Sequence, residues 1–179
     1  MAERRDGGPG DTAGTDGGLS HVDTHGRARM VDVTQKASTH RRAVAGCLVS
    51  SPGGAISSLG PSQRAEMLAA ARVIGIQAAK QTSDLIPLCH PLLIGDVAVD
   101  FEVEGDAVEV VARVECFGQT GVEMEALTAC ATAALAICDL CQEHDPEMTL
   151  GRLRLWEKRG GRSGVWRFDE VGDAPARAW

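Results

Sequence analysis

The stretch Gln119–Cys141, QTGVEMEALTACATAALAICDLC, constrains this chain more than any other. Its small and apolar residues leave no polar face, so it reads as a helix buried on several sides. Within it only Glu123, Glu125 and Asp139 carry charge. Acids are rarely placed in such a helix unless something pairs with them. Glu125 and Asp139 are 14 residues apart. At about 100° per residue they fall within roughly 40° on one face, and at about 1.5 Å per residue they lie roughly 21 Å apart. One helix cannot bring them together. Two copies crossing antiparallel in an oligomer would, and the helix reads as the wall of an active site shared between subunits.

The rest of the chain supplies a sheet for that helix. Ala43, Ala45, Cys47 and Val49 recur every second residue within 38–50, a strand signal, before Pro52-Gly53-Gly54 breaks the chain. A helix is expected from Pro61 to Gln81, with Ser62 as N-cap and Met67, Ala70, Ala71, Ile74 and Ala78 at helical spacing. Two prolines make Leu85–Pro91 a turn. Val97, Val99, Phe101 and Val103, then Val108, Val110, Ala112, Val114 and Cys116, alternate on either side of Gly105-Asp106, an antiparallel hairpin with one buried face. Met148–Trp156 is a last strand. The order strand, helix, strand, strand, helix, strand predicts an α+β, ferredoxin-like fold, a four-stranded antiparallel sheet with helices on one face. The expected domain spans 19–168. Residues 1–18, rich in Gly, Asp and Thr, are expected to form a disordered extension, and 169–179 a flexible tail.

Composition narrows the function. With 179 residues, 44% of them hydrophobic, the chain suits one domain with a real core. A net charge of −7 and no basic face or tail argue against nucleic acid as partner. No apolar run reads as a membrane span and the N-terminus lacks a signal-peptide core, so a soluble cytoplasmic protein is expected. Six cysteines lie mostly in apolar context and read as buried free thiols. Cys138 and Cys141 form a CxxC with no second pair, and core thiols are preferred there over a zinc or redox pair, so no metal is assigned.

Several residues are suited to chemistry. His90 is fixed between Cys89 and Pro91, as a structural histidine or as a substrate contact and proton donor. Asp139, an acid in an apolar helix, has the setting of a general acid or base; a salt-bridged structural aspartate is the other reading. Lysine is scarce: Lys36, Lys80 and Lys158 stand against fifteen arginines. Lys80 ends a helix, where the dipole favours a cation in any case. Lys158–Gly164, KRGGRSG, is a basic, glycine-rich loop after a strand, able to offer N–H groups and cations to phosphates. A solvated basic turn is the plainer reading.

Taken together, Met30–Val33 (MVDV), Gly75–Lys80 (GIQAAK), Asp84–Pro91 (DLIPLCHP), Thr120–Thr128 (TGVEMEALT) and the Lys158–Gly164 loop resemble the cyclic pyranopterin monophosphate synthase (MoaC) family of molybdenum cofactor biosynthesis. The resemblance covers about Leu19 to Arg167. It implies a ferredoxin-like subunit in a hexamer built from dimers, with active sites at a dimer interface. It implies that 3′,8-cyclo-7,8-dihydroguanosine triphosphate is rearranged to cyclic pyranopterin monophosphate with loss of pyrophosphate. By matching motif, Leu88, Cys89, His90, Met124 and Glu125 contact substrate, Asp139 is the acid/base residue, and Lys80, Lys158 and Arg162 are cations near the triphosphate. No cofactor is implied, beyond any Mg2+ carried by the triphosphate.

Three positions depart from the family pattern. Gln142, Arg64 and Gln119 stand where the family carries lysines or another basic residue, Arg64 taking the place of a substrate-side lysine. Position 142 is one helical turn beyond Asp139, on the same face. Two other readings remain: a paralogue acting on a related purine-nucleotide-derived intermediate, and a non-catalytic nucleotide-binding subunit.

Overall fold

The computed structural model describes residues 19–23 and 25–168. The expected disordered extension at 1–18 and the flexible tail at 169–179 lie outside the described residues. The chain forms two compact units, Met1–Asp32 and Val33–Trp179. In the first, Val22 and Ala28 pair across a short turn. Asp23 closes that turn, its carboxylate accepting from the backbone N–H groups of His25 and Arg27 and from Arg27 Nε, each at 2.9 Å.

The second unit runs β1 (Thr39–Ser50), α1 (Ala55–Ser58), α2 (Pro61–Lys80), α3 (Thr82–Leu85), β2 (Ile94–Glu104), β3 (Ala107–Gly118), α4 (Glu123–Cys141), β4 (Thr149–Arg159), β5 (Val165–Arg167). All strands join one antiparallel sheet in the order β2-β3-β1-β4-β5. The α+β class and the antiparallel sheet are as expected, but the strand count is five, not four. Gly160, Gly161 and Gly164 adopt left-handed φ of 104°, 68° and 65°, and Gly160 N–H donates to Gly164 O at 3.0 Å. The glycine-rich segment is therefore a hairpin turn, and it sends the chain back as a fifth strand.

One further expectation is corrected. Gly60, not Ser62, is the N-cap of α2. Pro61 takes the first helical position, where its missing N–H costs nothing. Gln63 Oε1 accepts from Gly60 N–H at 3.1 Å, while Ser62 bonds Glu66 inside the helix. By length and composition α4 also qualifies, among the described residues, as apolar enough to cross a membrane. Its uncharged middle, 126–138, is shorter than the roughly 18 residues of a span, and the helix qualifies only with acids included. In the fold it is a core helix.

That core is built from small residues. On β1, Ala43, Ala45, Cys47 and Val49 face the helices; on β3, Val108, Val110, Ala112, Val114 and Cys116 do the same, all at most 4% exposed. From α4, Ala126, Ala129, Cys130, Ala133, Ala134 and Ile137 are fully buried against them. A fully buried valine stabilises by about 1.5–3 kcal/mol, whereas an alanine contributes one methyl. Close approach compensates. A Cβ on Gly75 of α2 would stand 2.9 Å from Ala129 O and 3.0 Å from Ala133 Cβ of α4. Cys141 of α4 meets Met67 of α2, Sγ to Sδ, at 3.4 Å. These two contacts show that α2 and α4 run antiparallel.

The opposite face of the sheet is charged. Glu157 is buried and accepts from Arg159 and Arg167 at 2.6 and 2.8 Å, and Glu115 accepts from His40 at 2.9 Å. Trp156 lies across Gly46, where any side chain would collide with its ring.

Candidate active site

The structure sorts the sequence-predicted residues into two groups, at opposite ends of α4. At the N-terminal end are Met124 and Glu125, the turn carrying Leu88, Cys89 and His90, the end of α2 with Lys80, and the β4–β5 hairpin with Lys158 and Arg162. At the C-terminal end are Asp139, Gln142 and, on the start of the antiparallel α2, Arg64. Because α4 is continuous, Glu125 and Asp139 remain about 21 Å apart within a subunit.

Glu125 is the chemical centre of the first group. It lies in the first turn of α4 and is 4% exposed. Burial raises its carboxyl pKa to about 7; the charge on Glu123 raises it further, and its own backbone N–H lowers it. Such a carboxyl is poised to give or take a proton near neutral pH. Cys89 stands within its electrostatic reach. Burial pushes the Cys89 thiol up, and the Glu125 charge adds to this, so Cys89 is a neutral contact rather than a nucleophile. The turn that presents Cys89 is fixed on both sides. Thr82 Oγ1 donates to Ala78 O and Ala79 O and ends α2, and Cys89 N–H donates to Ile86 O at 2.9 Å. Leu88 and His90 are half-buried beside it, and Met124 and Lys80 are exposed.

At the same end of α4 lies a cleft lined by Arg41, Arg42, Lys158 and Arg159, by Gly121 and Glu123, and by Gly160, Ser163 and Gly164 of the β4–β5 turn. Lys158 Nζ is 3.6 Å from Glu123 Oε1. Arg41 donates from Nε to Gly118 O at 3.3 Å and from Nη2 to Gln119 O at 3.1 Å. Side chains at Gly160 and Gly161 would collide with His40 O and the Arg41 guanidinium, so only glycine lets the turn close over this cation. Cations, a glycine-rich turn and the first turn of a helix are the parts from which an anion cradle is built. Arg162 is exposed on the same turn.

The second group is open. Asp139 is exposed rather than enclosed by apolar helix, as are Leu135 and Leu140, because among the described residues nothing covers this face of α4. Gln142 Nε2 donates to Asp139 Oδ1 at 3.0 Å. Arg64 points to α1, donating to Ile56 O and Leu59 O at 3.4 and 3.3 Å. All six cysteines are free; Cys138 is half-buried and Cys141 is buried against Met67, as core thiols.

Sequence reasoning missed Arg41 and the role of Glu123. Arg41 was marked by phase. It lies two residues before Ala43, on the face that is otherwise apolar, and pairs with the buried Cys116. A guanidinium in that register either pairs or binds. Glu123 was marked only as an acid in an apolar helix, without its partner, because its cation lies 35 residues further on.

The family model described as MoaC family matches residues 30–161. Over 154 residues the chain is 47% identical to a protein of Novosphingobium aromaticivorans named cyclic pyranopterin monophosphate synthase, covering 85% of this chain and 98% of that protein. The family match holds both groups of residues except Arg162, and it ends within the glycine-rich turn, at Gly161. The chain therefore belongs to the MoaC family.

Proposed function

We propose that this protein is a lyase of molybdenum cofactor biosynthesis. It converts 3′,8-cyclo-7,8-dihydroguanosine triphosphate to cyclic pyranopterin monophosphate and pyrophosphate. The observation that carries this reading is the buried Glu125 carboxyl, poised near neutrality, at the same end of α4 as the cleft lined by Arg41, Lys158 and the glycine-rich turn. Opening and reclosing the ring requires proton transfers next to a polyphosphate, and the two features supply the two requirements. Leu88, Cys89, His90, Met124 and Glu125 hold the purine-derived part, with His90 as a proton donor. Lys158, Arg162 and Lys80 neutralise the triphosphate and the departing pyrophosphate. Mg2+ accompanies the triphosphate, and no other cofactor takes part.

Asp139 is the second acid/base group, and it reaches the site from a neighbouring subunit. The uncovered face of α4 with Leu135, Asp139 and Leu140 supports this, as does the 21 Å that separates Glu125 from Asp139 along one helix. The subunit is of the ferredoxin-like type, and the assembly is a hexamer built from dimers in which Arg64 and Gln142 border the partner's site. A subunit-sized mass by light scattering at micromolar concentration would end the shared-site part of this reading. The reaction is tested by incubating the protein with the cyclised GTP intermediate. Release of pyrophosphate together with a pterin is expected. Binding without release would make the chain a nucleotide-binding subunit instead.

A further inference from the structure

The anion cradle contains an anion of its own. Glu123 Oε1 stands 3.6 Å from Lys158 Nζ, and both side chains are about one-third exposed. The Glu123 carboxyl folds back over Gly121, filling the space that a Cβ there would need. An acid in the first turn of a helix is favoured by the helix dipole wherever its side chain points. The dipole therefore accounts for an acid at 123, but not for one laid across Gly121 onto a cradle lysine.

We infer that Glu123 is an internal competitor for the cradle. It holds Lys158 until an incoming polyphosphate displaces it, and it re-pairs with Lys158 when pyrophosphate leaves. The inference rests on the triphosphate reading given above. An ion pair this exposed favours its paired state by a factor of about two to five. Only the unpaired fraction accepts an anion, so every anion that uses Lys158 binds about three- to sixfold more weakly than it otherwise would. The cost is fixed and does not scale with the ligand. A triphosphate, with contacts to Arg41, the turn N–H groups and the helix N-terminus, stays bound regardless. Abundant orthophosphate, with few contacts, is pushed to concentrations where it no longer occupies the cleft. The same competition speeds release of the pyrophosphate product.

The test is calorimetric titration of orthophosphate, pyrophosphate and tripolyphosphate into the full chain. The proteins are wild type, Glu123→Gln, Lys158→Met and the double variant. Glu123→Asp serves as a second probe, since its shorter side chain cannot reach Lys158. Glu123→Gln or Glu123→Asp is expected to tighten all three anions by a similar factor, about three- to sixfold. In the Lys158→Met background, Glu123→Gln is expected to change nothing, which identifies the pair rather than the general field. Equal tightening with and without Lys158 would overturn the competitor while leaving the cradle in place. So would unchanged or weaker binding by Glu123→Gln alongside weaker binding by Lys158→Met. Indifference of all three anions to both positions would overturn the competitor and the cradle together.

Discussion

The state of Glu125 can be tested through stability. In the folded protein burial lifts its pKa from 4.5 to about 7. Below pH 4.5 the carboxyl is protonated in both folded and unfolded chains, and its burial costs nothing extra. Between 4.5 and 7 the unfolded chain gives up this proton and the folded one keeps it. The unfolded state then binds fewer protons, so stability falls as pH rises through this window. A rise from 4.5 to about 7 corresponds to about 3 kcal/mol. Solvent screening and relaxation reduce that, leaving about 2 kcal/mol. Glu125→Gln replaces the carboxyl by an uncharged group of the same shape, which removes the pH-dependent cost. The variant is expected to match wild type at pH 4 and to exceed it by about 2 kcal/mol at pH 8. Urea unfolding followed by circular dichroism checks this, with protein concentration held constant so that any association contributes equally to both proteins. The same variant is expected to lose about 10²- to 10⁴-fold in turnover, the usual worth of general acid–base catalysis. A stability difference that stays flat from pH 4 to pH 8 would refute the argument, because Glu125 would then ionise like an exposed glutamate.

Pyrophosphate affinity is expected to fall at least tenfold between about 0.01 and 0.15 M salt, as the Debye length shrinks from about 30 to 8 Å and the cradle cations lose their reach; a flat titration series would contradict the cradle. Gln142 now gives Asp139 a neutral hydrogen bond, so Gln142→Lys supplies an ammonium and a proton at the same place, and an increase in turnover of about tenfold or more on the cyclised GTP intermediate is expected. Wild-type turnover as fast as that of relatives bearing lysine there, with no gain in the variant, would show that another group already fills the role. Gly75→Ala puts a methyl 2.9 Å from Ala129 O, and the separation it forces between α2 and α4 is expected to cost about 1–3 kcal/mol in urea unfolding.

Much of this fold was legible in the sequence, for physical reasons. Two-residue alternation on β1, β2 and β3 reflects a sheet buried on one face, and Gly105, with φ of 57°, marked its hairpin. The fifth strand was hidden because three residues are too few to show a period and because the glycines before it resemble a binding loop. Ser62 looked like a cap because propensity is local, whereas the turn of Gly60 into Pro61 is set by the chain leaving α1. On α4 hydropathy misled in one respect. An apolar sequence says that a helix is covered, but not by what. Among the described residues nothing covers the face holding Leu135, Asp139 and Leu140, and its apolar character points outward. Of the candidate site, Glu125 and Lys158 were legible in short motifs. Arg41 and Glu123 were not, because their significance arises only when β1, β4 and α4 converge.

The continuity of α4 carries a consequence for inheritance. In the shared-site arrangement each copy of this helix serves two sites, lending Glu125 to one and Asp139 to the other. A dimer of one subunit damaged at Glu125 and another damaged at Asp139 then has one site with both lesions and one with none. Two alleles that are each inactive alone therefore restore activity when expressed together, while two alleles damaged at the same end of the helix do not. A single rigid rod thus divides one gene into two complementation groups.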